Sequence, residues 1–197
     1  MLEFLIENEE KANGNNIVCG VDEAGRGCLC GSVYAAAVIL PPDFSHPDLN
    51  DSKKLSPKKR DLLFDYITKN AISYSIAFAT VDEIEKINIL NAAMLAMNRA
   101  VDGLNQKVDI ALIDGNIARG FKCKTRTVVK GDSISPSIAA ASILAKVSRD
   151  RYVCELADKY PEYQFEKHKG YATKVHIEAI REHGPCEIHR PSFLKKI

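Results

Sequence analysis

The run Val18-Cys19-Gly20-Val21-Asp22-Glu23-Ala24-Gly25-Arg26-Gly27 restricts the folds open to this chain more than any other stretch. A short apolar segment delivers two adjacent carboxylates into a glycine-arginine-glycine loop. Neighbouring acids repel, and a buried pair persists only with something cationic between them, commonly a metal ion. The glycines allow main chain to come close to a ligand that a β-carbon would push away. A cation site and a ligand cradle within one turn of chain suit metal-assisted chemistry on a phosphate. The same ten residues also suit a strand ending in a salt-bridged turn, so the rest of the chain must decide.

The apolar pattern gives a strand over 16–21, a largely buried strand over 32–40 stopped by Pro41-Pro42, and further strands over 72–80, 108–113 and 125–129. Ser56-Pro57 and Ser135-Pro136 each read as a helix cap followed by proline in the first turn. They open helices to about residue 69 and towards Tyr160. The second begins Ile138-Ala139-Ala140-Ala141-Ser142, small enough to lie close against a sheet. Helical periodicity also runs from Val81 to about Leu104 with a break near Asn88, and from Thr173 to His183. Strands come early and helices dominate late. The expectation is an α/β fold, a mixed sheet flanked by helices, with a C-terminal helical extension.

At 197 residues with 46% hydrophobic and 27% charged residues, the chain has the make-up of an ordinary globular protein. No apolar run is long enough to cross a bilayer, and the N-terminus is acidic where a secretory signal is basic, so a cytoplasmic protein is expected. The six cysteines are scattered without metal-ligand spacing and read as reduced thiols. A net charge of +1 recommends no nucleic-acid partner, but two basic clusters stand out: Lys53, Lys54, Lys58, Lys59 and Arg60, and Lys122, Lys124, Arg126 and Lys130. Each could be a solvated face or a phosphate grip.

Asp22-Glu23, Asp114 and Asp132 each end an apolar segment. Strand ends are where side chains distant in sequence meet, and four carboxylates at one rim would make a hard oxygen site for Mg²⁺ or Mn²⁺. Taken singly, Asp114-Gly115 also suits a turn and Asp132 a helix cap. Adjacent strand residues point to opposite faces, so Asp22 and Glu23 share a site only if the chain bends, as Gly25 and Gly27 would permit. A dinucleotide fingerprint fails because its third glycine falls on Cys30, and a P-loop fails because Arg26-Gly27 stands where Lys-Ser/Thr is needed. No Gly-x-Ser-x-Gly elbow is present. His168 and His189, beside Lys169 and Arg190, suit phosphate contact or, more simply, structural roles.

These residues, together with Asp51-Ser52-Lys53-Lys54-Leu55-Ser56, Asp114-Gly115-Asn116, Lys130-Gly131-Asp132, the stretch Ala139–Val147, His168-Lys169-Gly170-Tyr171 and His189-Arg190-Pro191-Ser192-Phe193, resemble bacterial ribonuclease HII nearly end to end. The resemblance implies an RNase H-like fold: a five-stranded mixed sheet in a catalytic domain over 1–160, and a helical extension over 161–197 packed on it. It implies a metal-dependent endonuclease acting on RNA–DNA hybrids and on duplex DNA carrying single ribonucleotides, cutting 5′ of the ribonucleotide to leave 5′-phosphate and 3′-hydroxyl. Carried over by position, Asp22, Glu23, Asp114 and Asp132 are catalytic and hold divalent cations. Gly25, Arg26 and Gly27 read the 2′-hydroxyl, Tyr171 packs on the sugar beside the cut, and Lys53 falls in a segment that looks like a phosphate contact. The chain departs from the family at Cys28-Leu29-Cys30-Gly31-Ser32-Val33, where Ala-Gly-Pro-Val is usual, and at Ala172, where glycine follows the tyrosine. A non-catalytic hybrid-binding module and a deoxyribonuclease or resolvase of similar fold are the rivals. No dimer motif is evident, and a monomer is expected.

Overall fold

A computed structural model describes residues 2–50, 55–195 and 197. The described residues contain one five-stranded sheet in the order β3-β2-β1-β4-β5, with β1 Val18–Ala24, β2 Val33–Ile39, β3 Ser73–Ala79, β4 Ile110–Asp114 and β5 Lys124–Val128. β1, β2 and β3 are antiparallel neighbours, whereas β4 runs parallel to β1 and β5 parallel to β4. The helices are α1 Leu5–Ala12, α2 Pro57–Asn70, α3 Val81–Asp102, α4 Pro136–Lys159, α5 Phe165–His168, α6 Lys174–His183 and α7 Pro191–Leu194. The mixed sheet and flanking helices are those expected.

The period-2 alternation of the strands divides the core in two. Cys19, Val21, Val33, Ala35, Ala37 and Ile39 pack towards α3. Ala24, Ala36 and Val38 pack towards α2 and α4, against Ala139, Ala140, Ile143 and Leu144. Small residues let α4 lie close to the sheet. At Gly20 an added β-carbon would fall 2.1 Å from the Ser137 carbonyl carbon, so no side chain fits there. Ser56, Thr80, Ser135 and Thr173 cap α2, α3, α4 and α6 through their hydroxyls. The anticipated break in α3 is at Asn88, with φ 66°, whose side chain accepts the Asn91 N–H and restarts the helix.

One expectation is corrected, and two features were not foreseen. β1 runs on to Ala24, so both acids lie within the strand and no bend separates them. The acidic N-terminal stretch forms α1, whose buried face presents carboxylates: Glu7 accepts from Ser135 Oγ and the Ser137 N–H at the start of α4. The second basic cluster is largely paired with groups of the chain itself, at the surface. Arg126 pairs with Glu9 and Glu10, Lys122 with Asp102, and Lys124 donates to Asn15.

The segment after α4 builds its own apolar cluster of Tyr163, Phe165, Ala179, Ile180 and Ile188, closed by Leu29, Cys30 and Val153. Its main chain is sewn to the glycine loop: Leu29 N–H donates to Gly170, Gly31 N–H to Ile188, and Arg190 N–H to Leu29. All six cysteines are free thiols, as expected. No helix among the described residues is long and apolar enough to cross a membrane.

Candidate active site

β1 and β4 pair in parallel as far as Val21 opposite Ile113, and one residue further on each strand stand Asp22 and Asp114. Strand parity turns both towards the α4 face, the side to which Gly20 and Leu112 belong. Asp22 is buried. Burial first, then the charges of Glu23 and Asp114, raise its carboxyl well above the ordinary aspartate range, while the Glu23 N–H and the Ser142 side chain hold it partly in check. Its Oδ1 accepts the Glu23 N–H at 2.7 Å. Glu23 lies at the strand's end, where Oε1 takes Arg26 Nη1 at 3.0 Å. Asp114 Oδ1 accepts the Gly131 N–H at 2.7 Å. That bond ties the end of β4 to the 3₁₀ turn Gly131–Ser133, in which Asp132 is buried.

The three acids Asp22, Glu23 and Asp114 are therefore electrostatic neighbours, and Asp132 is held one residue from a partner of Asp114. Among the described residues, no three His, Cys, Asp or Glu side chains stand in a geometry that could hold a metal ion. Asp22, Glu23 and Asp114 each accept from a local donor.

Asp22 and Glu23 open into a cleft of about 390 Å³ walled by Gly25, Arg26, Gly27, Ser142, Lys146 and Tyr171. Gly25 has φ +96°, and an added β-carbon would meet Arg149 Nε at 2.0 Å; at Gly27 such a carbon would meet nothing within 4 Å. The loop is thus closed from behind and open towards the cleft. Two fully buried arginines close it. Arg190 donates to the carbonyls of Arg26, Cys28 and Gly31, and Arg149 to those of Cys30 and Lys169. Burial, then the neighbouring Arg149 charge, lowers the Arg190 guanidinium to about 10, still fully charged at neutral pH. Tyr171, 41% exposed, faces the loop, with Lys146 Nζ 5.2 Å from its ring centre. Lys53 lies outside the described residues.

Sequence reasoning missed Ser142, Lys146, Arg149 and Arg190 as parts of the site. For the first three a signal existed: positions 142, 146 and 149 share one face of α4 in an otherwise apolar run. His168 and His189, considered for phosphate, are buried and structural.

Beyond Lys146 and Tyr171 a second groove of about 510 Å³ continues the cleft, with Arg60, Arg151, Lys167 and Lys169 also on its walls, against Asp61 and Asp150. It carries an excess of positive charge. Part of that charge is committed, Lys146 to Asp150 at 2.8 Å and Arg151 to Asp61 at 2.9 Å.

The family model described as Ribonuclease HII matches residues 19–196. The ribonuclease HII of Caldicellulosiruptor bescii is 53% identical over 194 residues, covering 98% of this chain and 94% of that protein. The crystal structure of ribonuclease H2 from Pyrococcus horikoshii OT3 superposes with a TM-score of 0.74 at 26% identity, covering 89% of this chain and 92% of the other. Bst-RNase HIII, in complex with Mn²⁺, superposes at a TM-score of 0.66 with 18% identity, covering 85% and 63% of the two chains, and shares the fold. A match through nearly the whole length, on the fold those structures share, places the chain in the ribonuclease HII family of endoribonucleases.

Proposed function

We propose that the cleft between the Gly25–Gly27 loop and Tyr171 is where this ribonuclease HII cleaves RNA in RNA–DNA hybrids and at single ribonucleotides in duplex DNA, with Asp22, Glu23, Asp114 and Asp132 as its catalytic acids. The observation that carries this is the crowding of Asp22 by Glu23 and Asp114 at the mouth of a glycine cradle. A buried carboxylate crowded by two others is unfavourable without a cation, and an all-oxygen donor set suits Mg²⁺ or Mn²⁺, the latter being the ion bound in Bst-RNase HIII. In a two-ion arrangement, the ions would supply a water nucleophile at neutral pH and stabilise the leaving 3′-oxygen.

The chain's own residues do the rest. The open face of Gly27 admits a sugar edge to main-chain groups, and the 2′-hydroxyl there distinguishes a ribonucleotide from a deoxyribonucleotide. Tyr171 offers its ring to the neighbouring sugar. Arg26 keeps its guanidinium on Glu23, orienting that carboxylate. The groove beyond Lys146 grips backbone phosphates, which sets the duplex in place without reading sequence. A pure binding module gains nothing from an acidic rim facing phosphates.

The test is duplex DNA with one embedded ribonucleotide beside an all-DNA control, with Mg²⁺ or Mn²⁺ and then with EDTA. A single cut 5′ of the ribonucleotide, leaving 5′-phosphate and 3′-hydroxyl and lost on chelation, is expected. Cutting of the all-DNA duplex, or full turnover in excess EDTA, overturns the reading.

A further inference from the structure

Behind Tyr171 lies a group of three buried histidines that the chemistry above does not use. His168, His176 and His189 come from α5, α6 and the turn before α7. The first two rings stack at 4.3 Å between centres, and the third lies 5.2 Å from the second. Their contacts fix which nitrogen carries each proton. The Tyr171 carbonyl lies 2.9 Å from His176 Nδ1, so that nitrogen is the donor and Nε2 is bare. His176 Nε2 lies 3.1 Å from His189 Nε2, which must therefore donate. His189 Nδ1 is then bare and accepts the Cys186 N–H at 3.0 Å. The opposite assignment would turn Nδ1 of His189 to the Cys186 carbonyl at 3.3 Å, but would leave a bare nitrogen facing the Tyr171 carbonyl. His168 is fixed separately: Nε2 donates to the Tyr163 carbonyl at 2.8 Å, and Nδ1 accepts the Gly170 N–H at 3.2 Å.

Two members of this set, His168 and His176, grip adjacent residues, Gly170 and Tyr171. His168 holds the amide of Gly170, its own carbonyl takes the Tyr171 N–H at 3.0 Å, and His176 holds the Tyr171 carbonyl. We infer that His176, backed by His189, is a positioning residue that sets the attitude of Tyr171 in the cleft and thereby governs cutting at a lone ribonucleotide. The inference rests on the assignment of Tyr171 to the substrate cleft. Rings anchored in the core of the C-terminal segment thus act on the reaction without touching substrate.

His176→Phe keeps the ring's volume and stacking but removes the donor to Tyr171. His176→Asn places an amide N–H where Nδ1 stood. On duplex DNA with one ribonucleotide, His176→Phe should lower kcat/KM about tenfold, the loss expected for one hydrogen bond. His176→Asn should recover most of it. In a Tyr171→Ala background, His176→Phe should add less than about twofold, because the residue it acts through is gone. The same tenfold loss in that background, or no recovery by asparagine in a folded variant, overturns the inference. Nitrogen-15 NMR of histidine-labelled wild-type protein decides the relay without any activity measurement. Nδ1–H is expected at His176 and Nε2–H at His168 and His189; the reverse tautomer at His176 overturns it. A wild-type protein that cuts nothing would count against the proposed function, while the tautomers still judge the relay.

Discussion

Gly25 and Gly27 are two residues apart and differ completely in what stands beside them. Alanine at 25 would be forced into a left-handed conformation and onto Arg149, so Gly25→Ala should cost about 2–3 kcal/mol and lower Tm by several degrees. Alanine at 27 meets open space and should leave Tm within about 1 °C. It occupies the volume assigned to the sugar edge, so Gly27→Ala should reduce cutting at a lone ribonucleotide at least about tenfold; thermal melts and single-ribonucleotide cleavage separate the two cases. Unchanged cleavage by Gly27→Ala would remove the loop from ribonucleotide reading. Asp114 gives the complementary experiment. In Asp114→Asn the amide oxygen can keep the Gly131 N–H bond while one crowding charge disappears. Turnover should fall by about 100-fold or more, and the metal-free protein should gain roughly 1 kcal/mol in urea unfolding.

At the scale of elements, β1, β2 and β4 were legible as apolar runs bounded by glycine, proline or an acid, and β3 by its alternation. α2 and α4 were legible because Ser-Pro marks their starts, and α3 and α6 by their helical periodicity. α1 was not, because its buried side is made of Glu7 and Glu10 rather than leucines, and an apolar-periodicity argument cannot see a helix that buries carboxylates. The end of β1 was misjudged for a related reason: Asp22 and Glu23 look like a turn, and only pairing with Ala36 and Ala35 on β2 keeps them extended. Nor could sequence show that Arg190 would be fully buried, since its partners are carbonyls whose positions depend on the loop it holds. That clamp is testable. Arg190→Gln leaves three carbonyls under-satisfied and should cost about 3–5 kcal/mol. Hydrogen exchange should quicken at the Leu29 and Gly31 amides, which bond to the C-terminal segment, while the β1–β4 ladder keeps its protection. Equal acceleration in both would mean that the loop and the sheet open as one unit.

Over the whole molecule, pH acts in opposite senses at two places. Burial holds His168, His176 and His189 below the ordinary histidine range, His176 at about 4. The folded state then binds fewer protons than the unfolded chain between about pH 6.5 and 4. The stability this confers is complete above pH 6.5 and is lost as pH falls through that window. Asp22 has the reverse sign: its raised pKa makes the metal-free protein less stable as pH climbs above the ordinary aspartate range. Urea unfolding in EDTA from pH 4.5 to 8 should show wild type losing stability below pH 6.5, with His176→Phe losing less. Asp22→Asn should gain selectively at the neutral end. A slope unchanged in both variants would show that neither group governs it. This balance was invisible in the sequence, where the four acids stood out by position but nothing showed how deeply Asp22 would be enclosed.

The last strap across the glycine loop comes from residue 190, while the loop itself begins at residue 25. All five strands precede residue 129, yet the loop between β1 and β2 is held by a side chain about sixty residues further on. The shape of the loop therefore depends on a segment that docks from far along the chain, and the sheet by itself does not define it.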